Sequence, residues 1–216
     1  MVYDHKPWRM RRMGLQDLPF VVHSHSQHFA HGFFARLGPR FLTKYYRTFL
    51  DGPLAVAVVC EIDEAPIGYL VGILDTRRHR RLLLAHHGTT LAVAAALGMI
   101  ARPWLAVTFL WTRCRRYVAA ISRARHASGA ADAPVHVAVL SHLVVLSEAR
   151  CQGIGAALVD EFLRQAVEAD CSRACLVTLA GDTGAGTFYQ RRGWTHTHQG
   201  RSPEGRELAY YSCDLQ

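Results

Sequence analysis

Arg150-Cys151-Gln152-Gly153-Ile154-Gly155 sets a fixed cation three residues before the first of two closely spaced glycines. The apolar run Leu143-Val144-Val145-Leu146 precedes it, and Ala156-Ala157-Leu158 follows. The pattern reads as a buried strand, a loop, and then the start of a helix. Glycine lets the backbone approach a ligand closely and turn its N–H groups outward. A helix starting there adds the positive end of its dipole. The segment is therefore an anion site suited to phosphate or pyrophosphate, with Arg150 as its charge. A P-loop needs a Lys after its second glycine, and none stands here. A dinucleotide fingerprint needs Gly or Ala where this chain has Leu158, and no β-α-β unit begins the protein.

A second run, Asp182-Thr183-Gly184-Ala185-Gly186-Thr187-Phe188-Tyr189, continues through Gln190-Arg191-Arg192 to Gly193-Trp194. The first run matches the acyl-CoA loop of the Gcn5-related N-acetyltransferases (GNAT): Arg or Gln, two residues, Gly, one residue, Gly or Ala. The second resembles that family's last motif, in which Asn, Ala, Tyr, Gly and an aromatic recur at this spacing. In element order the resemblance covers about residues 8–75 and 135–214; its specific motifs lie in 143–194. Asp182 stands where the family often has Asn, Ser147 where Pro is common, and residues 76–134 where a short turn is usual.

The resemblance implies a mixed, mostly antiparallel central sheet flanked by helices, with a helical insertion between its third and fourth strands. It implies acetyl-CoA, or another acyl-CoA, as donor and a primary amine as acceptor, attacking the thioester directly. Main-chain groups near Leu143 and Val145 would pair with the pantetheine arm, and a strand N–H would polarise the thioester carbonyl. Arg150, Cys151, Gln152, Gly153, Ile154, Gly155 and Ala156 would hold the pyrophosphate. Asp182 would stand in for the Asn that contacts the pantetheine arm. Tyr189 matches the general acid that protonates the leaving thiolate, and a phenol pKa near 10 suits that step; the other reading is a packed helix aromatic. Phe33 and Phe34 lie where the family shapes its acceptor pocket, or they anchor a turn. The acceptor expected is a small molecule: an amino sugar, an amino acid or an antibiotic-type amine.

The base is open. His142 lies on the strand before the loop, but alternation sets it opposite Ser141, Leu143 and Val145, as a half-buried structural histidine. Glu61 and Asp75 sit near strand ends and can act through water. His23, His25, His28 and His31 invite a metal reading. They drift around a helix axis without a carboxylate or Cys, so exposed or substrate-facing histidines are expected and no metal. Asp182-Thr-Gly also spells the aspartic-protease triplet, but the chain that remains is too short and begins with a helix.

These residues need a scaffold. Trp8–Met13 reads as a strand, and Asp17 as the cap of a helix to about His28. Gly38-Pro39 opens a helix with Phe41, Leu42, Tyr45 and Phe49 on one side. Leu54–Ile62 and Ile67–Leu74 form a hairpin across Asp63-Glu64-Ala65-Pro66. Val135–Leu146 is a long strand. Gly155–Ala169 is a helix with Leu158, Phe162, Ala166 and Val167 inward. Ala174–Leu179 is a strand, Thr183–Arg192 a helix stopped by Gly193, and the pair 195–199 and 207–214 a last hairpin. The whole reads as one domain over residues 1–216, carrying the insertion 76–134.

The chain has 216 residues, half of them hydrophobic and 19% charged, which excludes a disordered or collagen-like polymer. Its six Cys form no C-x-x-C pair, and Met1–Met13 has no apolar signal core. A cytoplasmic protein with reduced thiols is expected. The net charge of +8 is concentrated: no acidic residue lies between Asp75 and Asp132, where ten Arg contribute +10 and leave −2 for the rest. Two helices are expected there, about 89–101 and 103–127, parted by Pro103. This basic, apolar block points to a solvated face, a docking surface for an acyl carrier protein, or a membrane-surface contact through 76–127. It also offers a homodimer surface. A non-catalytic acyl-CoA-binding module remains the alternative to an enzyme. No nucleic-acid module is recognisable.

Overall fold

A computed structural model describes residues 7–100, 102, 104, 136–181 and 184–215. Among these, seven strands form one sheet: β1 (Arg9–Arg12), β2 (Ala55–Ile62), β3 (Ala65–Ile73), β4 (Val137–Val145), β5 (Arg173–Leu179), β6 (Thr195–Arg201) and β7 (Glu207–Asp214). Their spatial order is β1-β2-β3-β4-β5-β7-β6. Neighbours run antiparallel except β4 and β5, which are parallel. The mixed, mostly antiparallel sheet expected from the sequence is present.

Helices cover both faces. On one lie α1 (Leu18–His28), α2 (Phe33–Arg36) and α3 (Pro39–Arg47). They close a core of Val21, Leu42, Tyr46, Ala57, Val59, Tyr69 and Val144. On the other lie α6 (Ile154–Glu168) and α7 (Gly186–Gln190). Leu158, Phe162 and Ala166 of α6 are buried against Val58, Leu70, Ala138 and Leu140. Gly72 makes that contact possible, because a Cβ there would stand 2.4 Å from Phe162 Cε2. Val167, expected inward, is exposed; it lies one residue round the helix from the buried stripe.

Several boundaries differ from the sequence reading. The hairpin turn is only Asp63-Glu64, both at positive φ, and Ala65 already pairs with Ile62. That is the two-residue turn whose twist suits a hairpin. Asp17 precedes α1 but does not cap it. Its carboxylate grips the Arg11 guanidinium at 2.7 and 2.8 Å and accepts the Gly14 N–H. A bidentate charged partner outcompetes a helix N–H.

The insertion starts where expected, but its first helix begins earlier, at Thr76 rather than about residue 89. A helix runs from Thr76 to Ile100, as α4 (Thr76–Leu82), a π turn (Leu83–His87) and α5 (Gly88–Ile100). Asp75 caps it, accepting the Arg78 N–H at 2.9 Å. The expected second helix, 103–127, lies outside the described residues apart from Trp104.

Candidate active site

Beta-strand 4 creates the site by leaving its parallel neighbour. Val137–Leu140 pair with Arg173–Leu176, and no pair follows. Beyond that point β5 stays with β7 as far as Leu179–Leu208. The edge of β4 from Ser141 to Val145 is thus left without a strand partner. A cavity of about 820 Å³ fills the opening.

A bulge sits at the parting. Val71 pairs with His142 and Gly72 with Leu140, so Ser141 is an extra residue in β4. After it, Leu143 and Val145 pack with the α6 side, while Val144 belongs to the α1/α3 core. His142 therefore faces α1 and α3, opposite Leu143 and Val145 as alternation predicted. That face is not away from the chemistry, because His142 lines the cavity with His25, His28, Phe29, Phe33 and Phe34. The correction has a simple cause: the cavity extends to both faces of the parted sheet.

The loop after β4 has the form an anion cradle needs. Cys151 has φ 63° and Gly153 φ 78°, the latter as N-cap of α6. A Cβ on Gly153 would meet nothing within 4 Å, so open space lies over it. Arg150 is exposed and its Nε–H donates to the Val145 carbonyl at 3.2 Å. Gly155 lies over the Phe188 ring, which would stand 3.6 Å from an added Cβ. Arg150, Cys151, Gly153, Ile154, Gly155 and Ala156 all line the cavity, as do Leu143 and Val145. The Ile154 side chain points into the core at 1% exposure, so only its main chain can serve a ligand. Gln152 does not line the cavity. Asp182 lies outside the described residues.

Tyr189 reaches the same cavity from α7. Its ring is buried among Phe188, Trp194 and Tyr211. Burial pushes the phenol pKa up, so it stays protonated across the physiological range. Phe33 and Phe34 form the opposite wall.

The histidines form an aromatic box. His25 and His142 stack edge to face at 4.9 Å, with Phe29, Tyr45 and Tyr46 around them. The Tyr46 hydroxyl lies 2.6 Å from His25 Nδ1 and 3.0 Å from the Tyr69 hydroxyl. His142 Nδ1 is buried without a hydrogen-bond partner. Burial lowers the His25 pKa to about 4; burial, reinforced by His25, lowers His142 to about 3. His25, expected to be exposed or substrate-facing, lines the cavity but is not exposed, at 2% exposure. Its spacing from Val21, Val22 and Leu18 on the inner face of α1 was the available signal.

Both histidines bind fewer protons folded than unfolded below pH 6.5. Their contribution is fully present above that pH and is lost as pH falls towards their folded values. By pH 5 the expected loss is about 2 kcal/mol for each. The carboxylates with lowered pKa values, Asp17 and Glu61, act at lower pH. Thermal unfolding followed from pH 7 to 5 should show Tm falling in the parent chain. His142→Phe should flatten that slope.

Glu61 and Asp75 do not reach the site. Glu61 is held by Arg9 and by Arg11, whose Nε lies 2.6 Å away, and Asp75 is spent as a helix cap. Among the described lining residues there is no Asp or Glu. The charged ones are Arg150 and Arg206, and Arg206 Nε is buried without a hydrogen-bond partner. Among the described residues no group of three His, Cys, Asp or Glu could hold a metal ion.

Residues 23–194 match the family model for the Acetyltransferase (GNAT) family. This chain belongs to the GNAT acetyltransferase family. Solved GNAT relatives share its fold at low identity. The acetyltransferase of GNAT family from Streptococcus pneumoniae is 9% identical, with TM-score 0.58 over 97% of this chain and all of that one. The ribosomal-protein-S18-alanine N-acetyltransferase from Escherichia coli is 10% identical, with TM-score 0.57 over 97% of this chain and 95% of that one. A Salmonella typhimurium protein, yncA, described as an acetyltransferase with its cofactor acetyl-CoA, is 10% identical, with TM-score 0.58 over 97% and 94%. No curated protein matches the sequence. In this GNAT chain the parted strands, the Arg150–Ala156 loop and Tyr189 open onto one cavity.

Proposed function

We propose that this GNAT chain transfers an acetyl group from acetyl-CoA to the primary amine of a small molecule. The observation that carries the reading is the parting of β4 from β5 beyond Leu140 and Leu176, which opens directly onto the Arg150–Ala156 loop. The unpaired edge of β4 gives a pantetheine arm amide partners in place of the missing strand. The loop N–H groups, the start of α6 and Arg150 hold the pyrophosphate. A main-chain N–H on the β4 edge polarises the thioester carbonyl. Tyr189 gives its proton to the leaving sulfur as the amine attacks.

Walls of Phe29, Phe33 and Phe34, with two arginines and no carboxylate among the described lining residues, suit an acceptor with an apolar or aromatic body. A polycation such as an aminoglycoside finds no counter-charge among the described lining residues. Arg206 suits an anionic substituent, as on an amino acid. His142, with a pKa near 3, is far too weak a base to deprotonate an alkylammonium. Its Nδ1 orients an amine that arrives neutral. The kcat/KM should therefore rise with pH up to the acceptor's own pKa.

Thiol release measured with acetyl-CoA across a panel of aryl-alkylamines, apolar amino acids and aminoglycosides tests this. The first two classes should release thiol in step with N-acetylated product. Acetyl-CoA binding with no thiol release from any amine would make the protein a binding module instead.

A further inference from the structure

The helix Thr76–Ile100 is long and apolar enough to cross a membrane, yet almost none of its most apolar stretch is buried. Core helices with that composition are normally enclosed. Here only one side is held. Ala94 is buried, and Leu91, Ala95 and Met99 pack with it against Phe33, Leu37 and Phe41. Gly98 comes so close to α2 that a Cβ would stand 2.5 Å from the Leu37 carbonyl oxygen.

The other side carries Leu82, Val93, Leu97 and Ile100 at helical spacing, all exposed, Ile100 at 76%. Trp104, beyond the helix, is half exposed, with the Arg36 guanidinium 5.3 Å over its ring. Arg77, Arg78 and Arg81 are exposed at the opposite end. In the sequence, the uncharged runs Thr89–Ile100 and Trp104–Thr112 lie between two groups of arginines, with no acidic residue from 76 to 131.

Charge decides which partner fits. A second copy would bring one +10 block against another, which is repulsive. An acidic protein would satisfy the arginines but leave the apolar row unexplained. An anionic lipid surface meets both, taking the apolar row at the acyl boundary and the arginines at the phosphates. We propose that this face of the insertion rests in the plane of an anionic membrane surface. The inference does not depend on the donor or the acceptor.

The full-length protein should float with vesicles of phosphatidylglycerol and phosphatidylcholine, and only weakly with phosphatidylcholine alone. Replacing Arg77, Arg78 and Arg81 by Gln should weaken partitioning roughly fivefold per residue. A Leu97→Glu, Ile100→Glu variant should lose vesicle binding while still binding acetyl-CoA, which shows that it folds. Three results would overturn the proposal: no binding to anionic vesicles by folded protein, equal binding to neutral ones, or a dimer that Leu97→Glu dissociates in a protein that ignores vesicles.

Discussion

Gly153→Trp is expected to weaken acetyl-CoA binding by about a hundredfold or more, equivalent to about 2.7 kcal/mol. Two effects add. Gly153 has φ 78°, which costs a residue with a Cβ about 1–2 kcal/mol. The indole would also fill the open space over the loop, where an added Cβ meets nothing within 4 Å. Gly153→Ala separates the two, since it keeps the strain and adds almost no bulk. It should bind roughly five- to thirtyfold more weakly. Calorimetric titration of both variants reads the difference. If both bind acetyl-CoA as the parent does, the pyrophosphate lies elsewhere.

Tyr189→Phe is expected to lower kcat by about a hundredfold to a thousandfold while leaving acetyl-CoA affinity unchanged. Phe fills the same place among Phe188, Trp194 and Tyr211, so packing should survive. What is lost is the proton for the leaving sulfur. The raised phenol pKa means the parent should show no loss of Tyr-dependent activity up to ordinary assay pH. A variant with full kcat would leave Tyr189 as a packing ring and assign the proton to water.

The order of elements and the phosphate loop were legible because local signals carry them. Apolar, β-rich runs gave the strands, and Arg150, Gly153 and Gly155 gave the loop. Three things were hidden. The early start of the insertion helix rested on Asp75 as its cap, a residue that the sequence offered only as a carboxylate near a strand end. The aromatic box was hidden because α1, α3 and β4 contribute to it from far apart in the chain. The exclusion of Glu61 followed from Arg9 and Arg11, which only strand pairing brings to it. Long-range pairing of that kind leaves no trace in residue spacing.

The extra residue at Ser141 works as a phase shifter along one strand. Ahead of it, Ala138 and Leu140 face α6. Strict alternation would continue that row through His142 and Val144, setting an imidazole against the α6 core and Leu143 and Val145 on the α1 side. With Ser141 uncounted, Leu143 and Val145 take over the row and His142 turns to the cavity. A strand thus changes task within one residue, from wall to reaction chamber, without changing neighbours on its β3 side. Deleting Ser141 would keep that parity and only shorten the strand's reach. Adding one residue beside it would make two, and two residues restore ordinary alternation with the same faces downstream.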